Sequence, residues 1–191
     1  MDPTETEITR LAMLDEGEIA ALAAVLCDCV EQGASVSFML PLPLARAAAY
    51  WRGLAPSVAR GELIVLGART GGVLLGTVSL VLRQPENQPH RADVAKMLVK
   101  RDARGRGIGA RLLAAIEAEA QGQGRTLLVL DTANEQAARL YTRGGWQRVG
   151  EIPDYALWPR GGLCATTFFY TRLPSIPVLP QCRTGTDLRG G

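Results

Sequence analysis

Residues 103–120 read ARGRGIGARLLAAIEAEA. The stretch opens on Arg104, Gly105, Arg106, Gly107, Ile108 and Gly109, then enters an alanine- and leucine-rich run that predicts a helix over residues 108–121. Glycine reaches turn dihedrals closed to other residues and lets a ligand approach the backbone, while the first amides of the following helix have no partner inside it and can receive phosphate oxygens. Arg104 and Arg106 add positive charge to the same turn. The combination points to a phosphorylated cofactor. Two familiar phosphate loops fit poorly: the glycines are not arranged as in the dinucleotide fingerprint, and the Gly-Lys-Ser/Thr ending of a P-loop is missing. A glycine-rich turn also occurs for purely structural reasons, so its neighbours in the chain have to decide.

Upstream, residues 6–14 can supply an opening strand, and Asp15 with Glu18 has the spacing of a helix capping box. Ile19, Leu22, Ala23, Leu26 and Val30 recur at helical intervals and predict a helix over residues 16–32. Residues 33–43 read as a connection, and residues 44–60 as a second helix with a disruption expected near Pro56. Within it, Tyr50 and Trp51 are read first as packing residues and second as neighbours of a substrate pocket. Strands are expected at residues 62–68 and 73–82, joined by the hairpin signal Thr70-Gly71-Gly72, and at residues 92–99 after a polar loop. Downstream of the turn come a strand at 126–130, a short helix at 135–143, and strands at 147–152 and 164–172. The order is that of a mixed α/β fold.

Composition narrows the classes. With 191 residues, 47% hydrophobic and 21% charged, the chain can build one substantial core and is expected to form a single domain over residues 1–173. Residues 174–191, punctuated by Pro174, Pro177 and Pro180, read as a peripheral tail. A net charge of +2 from 21 basic and 19 acidic side chains is too small a bias to support nucleic-acid binding. Cys27, Cys29, Cys164 and Cys182 show neither a disulfide framework nor a zinc-ribbon spacing, so no metal site is expected. The opening MDPTETEITR lacks an apolar leader, and no apolar run approaches the roughly 20 residues of a membrane span, so a cytoplasmic protein with no membrane association is expected.

Residues 104–109 resemble the Arg/Gln-x-x-Gly-x-Gly/Ala acyl-CoA motif of the GNAT acetyltransferases. The resemblance continues through the next helix, through LLVLD at residues 127–131, and through Asn134-x-x-Ala137-x-x-x-Tyr141-x-x-x-Gly145-Trp146, so that it covers about residues 8–173. GASVSFM at 33–39, RADVAKMLV at 91–99 and VGEIPDYA at 149–156 are similar to stretches of the tabtoxin-resistance group within that family. The resemblance implies a GNAT acyl-CoA N-acyltransferase fold, a mixed and mostly antiparallel central sheet flanked by helices, with a V-shaped opening between the strands at 92–99 and 126–131. Acetyl-CoA would lie in that opening as cosubstrate, contacted by the backbone of Leu98 and Val99, by residues 104–109 and by Asn134, which could also cap the helix after it.

The implied reaction is direct acetyl transfer to a primary amine. An alkylammonium, with a pKa near 10, must lose a proton before it attacks. Asp93 and Asp131, at the start and end of the two central strands, resemble the paired acidic residues assigned base roles in the tabtoxin-resistance group; Asp93 stands where that group can use Glu, and its shorter reach could require an intervening water. Tyr141 matches the family's general acid, which returns a proton to the departing thiolate. The alternatives are a packing tyrosine and an aspartate serving only its own strand end. His90, the single histidine, and Cys164 lack a matching context and stay outside the expected site. The favoured acceptor is a small toxin-like or antibiotic-like amine. Alternatives are acetylation of a peptide or protein amine, and a noncatalytic acyl-CoA-binding regulator. A homodimer is plausible for this class.

Overall fold

The computed structural model describes residues 5–174. A sheet of seven strands runs in the order β1-β2-β3-β4-β5-β7-β6. Its strands are β1 (Thr6–Arg10), β2 (Leu63–Thr70), β3 (Val73–Val81), β4 (Arg91–Val99), β5 (Leu127–Thr132), β6 (Gln147–Leu157) and β7 (Leu163–Arg172). All neighbours pair antiparallel except β4 and β5. Helices α1 (Glu16–Glu31) and α2 (Leu44–Ala59) cover one face, where Leu22, Leu26 and Trp51 pack with Val65 and Leu98. Helix α3 (Ile108–Gly122) covers the other, where Ile108, Leu112 and Ile116 pack with Leu80, Leu128 and Phe169. Helix α4 (Glu135–Arg143) lies against β5 and β6. Burying apolar side chains on both faces is what makes this mixed sheet a stable middle layer.

Four local outcomes differ from the periodicity. The first strand stops at Arg10 rather than residue 14, because Leu11 and Leu14 turn into the core while Met13 stays 75% exposed. Only half of the capping box forms: Asp15 Oδ1 accepts from the Glu18 amide at 2.8 Å, but the Glu18 carboxylate is drawn off to Arg69. Helix α2 runs through Pro56, whose missing donor removes one bond in the final turn without stopping it. Strand β6 extends to Leu157 past Pro153; it is an edge strand with irregular register between Ile152 and Ala156, and that is where a sheet tolerates proline.

The feature that positions a site is the junction of β4 and β5. They pair in parallel only at Arg91, Ala92 and Asp93 with Leu127, Leu128 and Val129. Beyond that, β5 continues its ladder with β7 as far as Thr132, while β4 departs. The departing arm carries a bulge: Ser79 opposes Ala95 and Thr77 opposes Leu98, which leaves Lys96 and Met97 facing the single residue Val78. Lys96 sits at φ 51°, in the left-handed region. A bulge bends the strand that holds it, and here it lies on the arm that leaves β5, opening the V.

Candidate active site

The V is a cleft of about 480 Å³ running from Asp131 and Tyr141 to the turn before α3. That turn carries the dihedrals that only glycine adopts freely, with φ 77° at Gly105 and 76° at Gly107. Gly107 is the N-cap of α3 and offers no side chain, the first turn has no acidic residue, and the helix's first bond runs from the Arg111 amide to the Gly107 carbonyl. The amides of Ile108, Gly109 and Ala110 therefore lack helical partners and sit at the positive end of the helix dipole, beside the cleft they help to line. Arg104 borders the same cleft and donates through Nε to the Val99 carbonyl at 3.0 Å. Arg106 turns outward and donates to the Asp102 carbonyl at 2.8 Å, so it is the one residue of the expected turn that the cleft lining omits.

On the β4 wall, alternation separates the two expected backbone contacts. The Lys100 amide bonds to Leu75 of β3, and Leu98, two residues earlier and opposite Thr77, turns its backbone the same way into the ladder. Val99 between them directs its amide and carbonyl away from β3, toward the opening. A backbone contact from Leu98 is thus not available, although the residue borders the cleft; Val99 is the one placed to make it. The buried thiol of Cys29 also approaches the Val99 carbonyl, at 3.5 Å.

Asp131 borders both this cleft and a second pocket of about 300 Å³. The second pocket lies between the α1–α2 connection (Ser37, Phe38) and the β6–β7 hairpin (Tyr155, Leu157). Two bonds tie the connection to the hairpin: Ser35 Oγ donates to the Leu157 carbonyl at 3.1 Å, and the Leu40 amide donates to the Pro159 carbonyl at 2.9 Å. The Asp131 carboxylate is oriented by a hydrogen bond from Thr166 Oγ1, at 2.9 Å. Asp93 rises from the same face of the sheet, since its partner Val129 precedes Asp131 by two residues. The structure nevertheless does not bring Asp93 into either pocket: its Oδ2 accepts from Gln84 Nε2 at 3.0 Å and from Arg91 Nη2 at 3.3 Å.

Tyr141, on α4, is 4% exposed and borders the cleft. Its ring is tilted against Trp146 and Phe169, each with a centroid 5.8 Å away, and Trp146 is itself anchored by donating from Nε1 to Glu117 at 2.6 Å. Burial, reinforced by the negative charge of Asp131, pushes the phenol well above its ordinary pKa. It therefore keeps its proton throughout the neutral range. Packing and chemistry are compatible here, because the packing is what holds the hydroxyl-bearing ring. Asn134 caps α4, its Oδ1 accepting from the Gln136 and Ala137 amides at 2.8 and 3.2 Å, and it also borders the cleft.

Trp51 is fully buried, as a packing residue. Tyr50 stands edge-on to Phe38 at 5.2 Å, and the Lys96 ammonium lies over its ring at 5.5 Å. Lys96 is a cleft residue that the sequence left unmarked; the only sign of it was a charge inside the apolar run VAKMLV. Cys29, weighed in the sequence only as a disulfide or metal residue, also borders the cleft. His90 serves through its carbonyl, which accepts from Thr126 and Leu127 at the start of β5. Cys182 and residues 175–191 of the expected tail lie outside the described residues. No helix among the described residues is long and apolar enough to cross a membrane.

A bare helix start behind a glycine turn, opening onto a cleft between splayed parallel strands, defines an acyl-CoA-type cradle. Comparison with known proteins agrees: residues 38–146 match the model of the acetyltransferase (GNAT) family. The chain is 30% identical over 165 residues to an N-acetyltransferase encoded between hisH and hisA in Azospirillum brasilense, an alignment covering 83% of this chain and 96% of that protein. An acetyltransferase from Salmonella typhimurium solved with acetyl-CoA superposes with a TM-score of 0.73 at 19% identity, over 94% of this chain and 100% of that one. A phosphinothricin acetyltransferase from Sinorhizobium meliloti, in complex with acetyl-CoA, gives 0.73 at 15% identity, over 92% and 96%. The chain belongs to the GNAT acetyltransferase family. It is an N-acetyltransferase that uses acetyl-CoA as cosubstrate.

Proposed function

We propose that the protein acetylates the primary amine of a small molecule, toxin-like or antibiotic-like in class, and that it does so in the cytoplasm. The observation that carries the acceptor reading is the position of Asp131, whose carboxylate stands where the long cleft meets the roofed 300 Å³ pocket. A pocket of that size, closed over by the α1–α2 connection and the β6–β7 hairpin, suits a small amine better than an extended peptide.

Acetyl-CoA supplies the activated acetyl group as a thioester. The free amides of Ile108, Gly109 and Ala110 and the guanidinium of Arg104 hold its phosphates; the backbone of Val99 and the side chain of Asn134 hold the pantetheine. Asp131 attracts the acceptor ammonium, and with Thr166 fixing its orientation it accepts the proton, directly or through a water, leaving a neutral amine aimed at the carbonyl carbon. When the carbon–sulfur bond breaks, the phenol of Tyr141 donates to the departing thiolate. Its burial makes a lasting tyrosinate costly, so the proton given up is replaced by one leaving the acetylated nitrogen. Asp93, engaged by Arg91 and Gln84 at the outer end of the same face, has at most an orienting role on incoming cations. For a homodimer, the surface we favour is the β6 edge, where Val149, Ile152 and Tyr155 are 67%, 45% and 50% exposed; light scattering would give the mass.

The test is turnover of acetyl-CoA against a panel of toxin-like, antibiotic, polyamine and peptide amines, following both CoA release and acetylated product. Small amines should be acetylated and peptides not; acetylation of peptides alone would overturn the acceptor reading, and saturable acetyl-CoA binding with no product from any amine would favour a noncatalytic regulator. Tyr141→Phe should lower kcat by about 100-fold or more with acetyl-CoA affinity within twofold. The ratio of wild-type to Tyr141→Phe rates should hold as the pH rises toward about 10, because a phenol whose pKa is raised stays protonated beyond the ordinary tyrosine range.

A further inference from the structure

Lys96 presents a charge that the reaction as described does not use. Its ammonium has three donors. One reaches the Val36 carbonyl at 3.1 Å and another Ser37 Oγ at 3.5 Å, both on the α1–α2 connection that roofs the acceptor pocket. Below the ammonium are the rings of Tyr50 and Phe38, at 5.5 and 6.0 Å. All of these partners are neutral. Among the described residues no carboxylate lies within salt-bridge distance of Lys96. Burial pushes the Lys96 ammonium below its ordinary pKa, and the negative charge of Asp131, across the V, offsets part of that shift.

The backbone shows that this placement is imposed. Lys96 holds φ 51° at the bulge that splits β4 from β5, a conformation unfavourable for a side chain with a Cβ. The bulge aims a long cationic side chain across the mouth of the cleft toward residues 36 and 37, some sixty positions earlier in the chain.

Consider the charges once an acceptor arrives. Lys96 borders the long cleft rather than the acceptor pocket, and Asp131, which borders both, is the one carboxylate among the described residues lining either, so a simple alkylammonium at Asp131 brings a second cation to the charge that faces Lys96. An acceptor that carries an oxyanion as well as its amine removes the imbalance: its ammonium meets Asp131, and its oxyanion takes the remaining donor of Lys96 in a charge-assisted bond.

We infer that Lys96 is a specificity-determining residue that binds an oxyanion on the acceptor, so that the protein acetylates amino acids or aminoalkyl oxyacids in preference to plain amines. This rests on the small-amine reading above and narrows it. The α1–α2 connection, held by Ser35 and Leu40 to the hairpin, fixes where the ammonium sits, and the distance from Lys96 to Asp131 then sets how far apart amine and oxyanion stand on the acceptor.

The experiment compares matched acceptors: α-, β- and γ-amino acids, their methyl esters, the corresponding aminoalkylphosphonates, and alkylamines of equal length. Wild type should prefer acids over esters and alkylamines by about 10- to 100-fold in kcat/KM, the range of one hydrogen bond between charged groups. The carboxylate and phosphonate arms say which oxyanion the site takes. Lys96→Met, close in length and tolerant of apolar surroundings, should erase that preference by raising KM for the acids while the esters and the KM for acetyl-CoA stay within threefold; Lys96→Arg should restore part of it. Equal turnover of acids and esters by wild type, or an equal loss for both in Lys96→Met, would overturn the inference. No product from any acceptor, acid or ester, would instead count against the small-amine reading. In that event calorimetry of N-acetylglutamine and its methyl ester, titrated in the presence of CoA, still decides on Lys96: tighter binding of the acid, lost in Lys96→Met, supports it, and equal binding overturns it.

Discussion

The starts of α1 and α3 meet the same electrostatic problem in opposite ways. Both leave three or four amides unpaired at the positive end of a helix. At α1, Asp15 accepts from the Glu18 amide, and Glu16 and Glu18 place negative charge in the first turn. At α3, the cap is a glycine at φ 76°, no side chain accepts, and no acid stands in the first turn. The first start is finished by its own chain; the second is left open by its own chain, beside the cleft. Asn134 at the start of α4 stands between them, capping its helix through Oδ1 while bordering the cleft. The comparison teaches that a helix start able to receive an anion is marked as much by what the sequence withholds from it as by the arginines beside it.

Converting the second kind of start into the first should have the largest effect. Gly107→Asp supplies α3 with the carboxylate cap of α1; aspartate tolerates the left-handed backbone better than most residues, so the melting temperature should hold while acetyl-CoA affinity falls by about 100-fold or more, measured by calorimetry. Unchanged affinity would break the link between a bare helix start and cofactor binding. Gly107→Val adds strain without charge and should cost about 30-fold in affinity, equivalent to about 2 kcal/mol. The obstacle there is the backbone conformation, since a Cβ at Gly107 meets nothing within 4 Å.

Asn134→Ala should do a little of both: acetyl-CoA affinity about five- to tenfold weaker, with about 1 kcal/mol of stability lost through the cap. A loss of stability alone would make it a cap and nothing more. At the small end, Asp15→Ala should leave acetyl-CoA affinity within twofold and lower the melting temperature by about 2–4 °C, the effect of about 1 kcal/mol in a chain of this size. Any larger change in affinity would mean that the two helix starts are coupled through the sheet.

Much of the fold could be read from the chain because the information was local. The glycines of the turn, the helical spacing on α1, the Thr70-Gly71-Gly72 hairpin and the Asp15 cap each depend on a few neighbouring residues. Asp131, Tyr141, Asn134 and most of the turn were marked as site residues, and the structure brings them to one cleft. Asp93 was marked too, but the fate of its carboxylate depended on Arg91 and Gln84, and no pattern along the strand gives their side-chain directions. Leu98 and Val99 were both assigned backbone contacts, but only Val99 turns its backbone toward the opening, because the bulge at Lys96 and Met97 sets the alternation of everything after it, and a bulge is visible only when β3 is laid alongside.

By itself, the sequence determined that this chain has a glycine-rich turn with two arginines at residues 104–109, a mixed sheet, and the motif series of a GNAT acetyltransferase. The turn and the sheet follow from backbone preferences and periodicities within one turn or one strand, and the family from the resemblance of its motifs. The tertiary structure decided which carboxylate borders the pockets, which backbone groups of β4 are free, and that Lys96 stands across from Asp131 with no carboxylate of the described residues within salt-bridge distance. Those outcomes depend on the angle at which β4 leaves β5 and on a connection, residues 33–43, folded back from the far side of the sheet. Contacts between segments sixty or more residues apart are fixed by packing, and the chain's local pattern does not encode them.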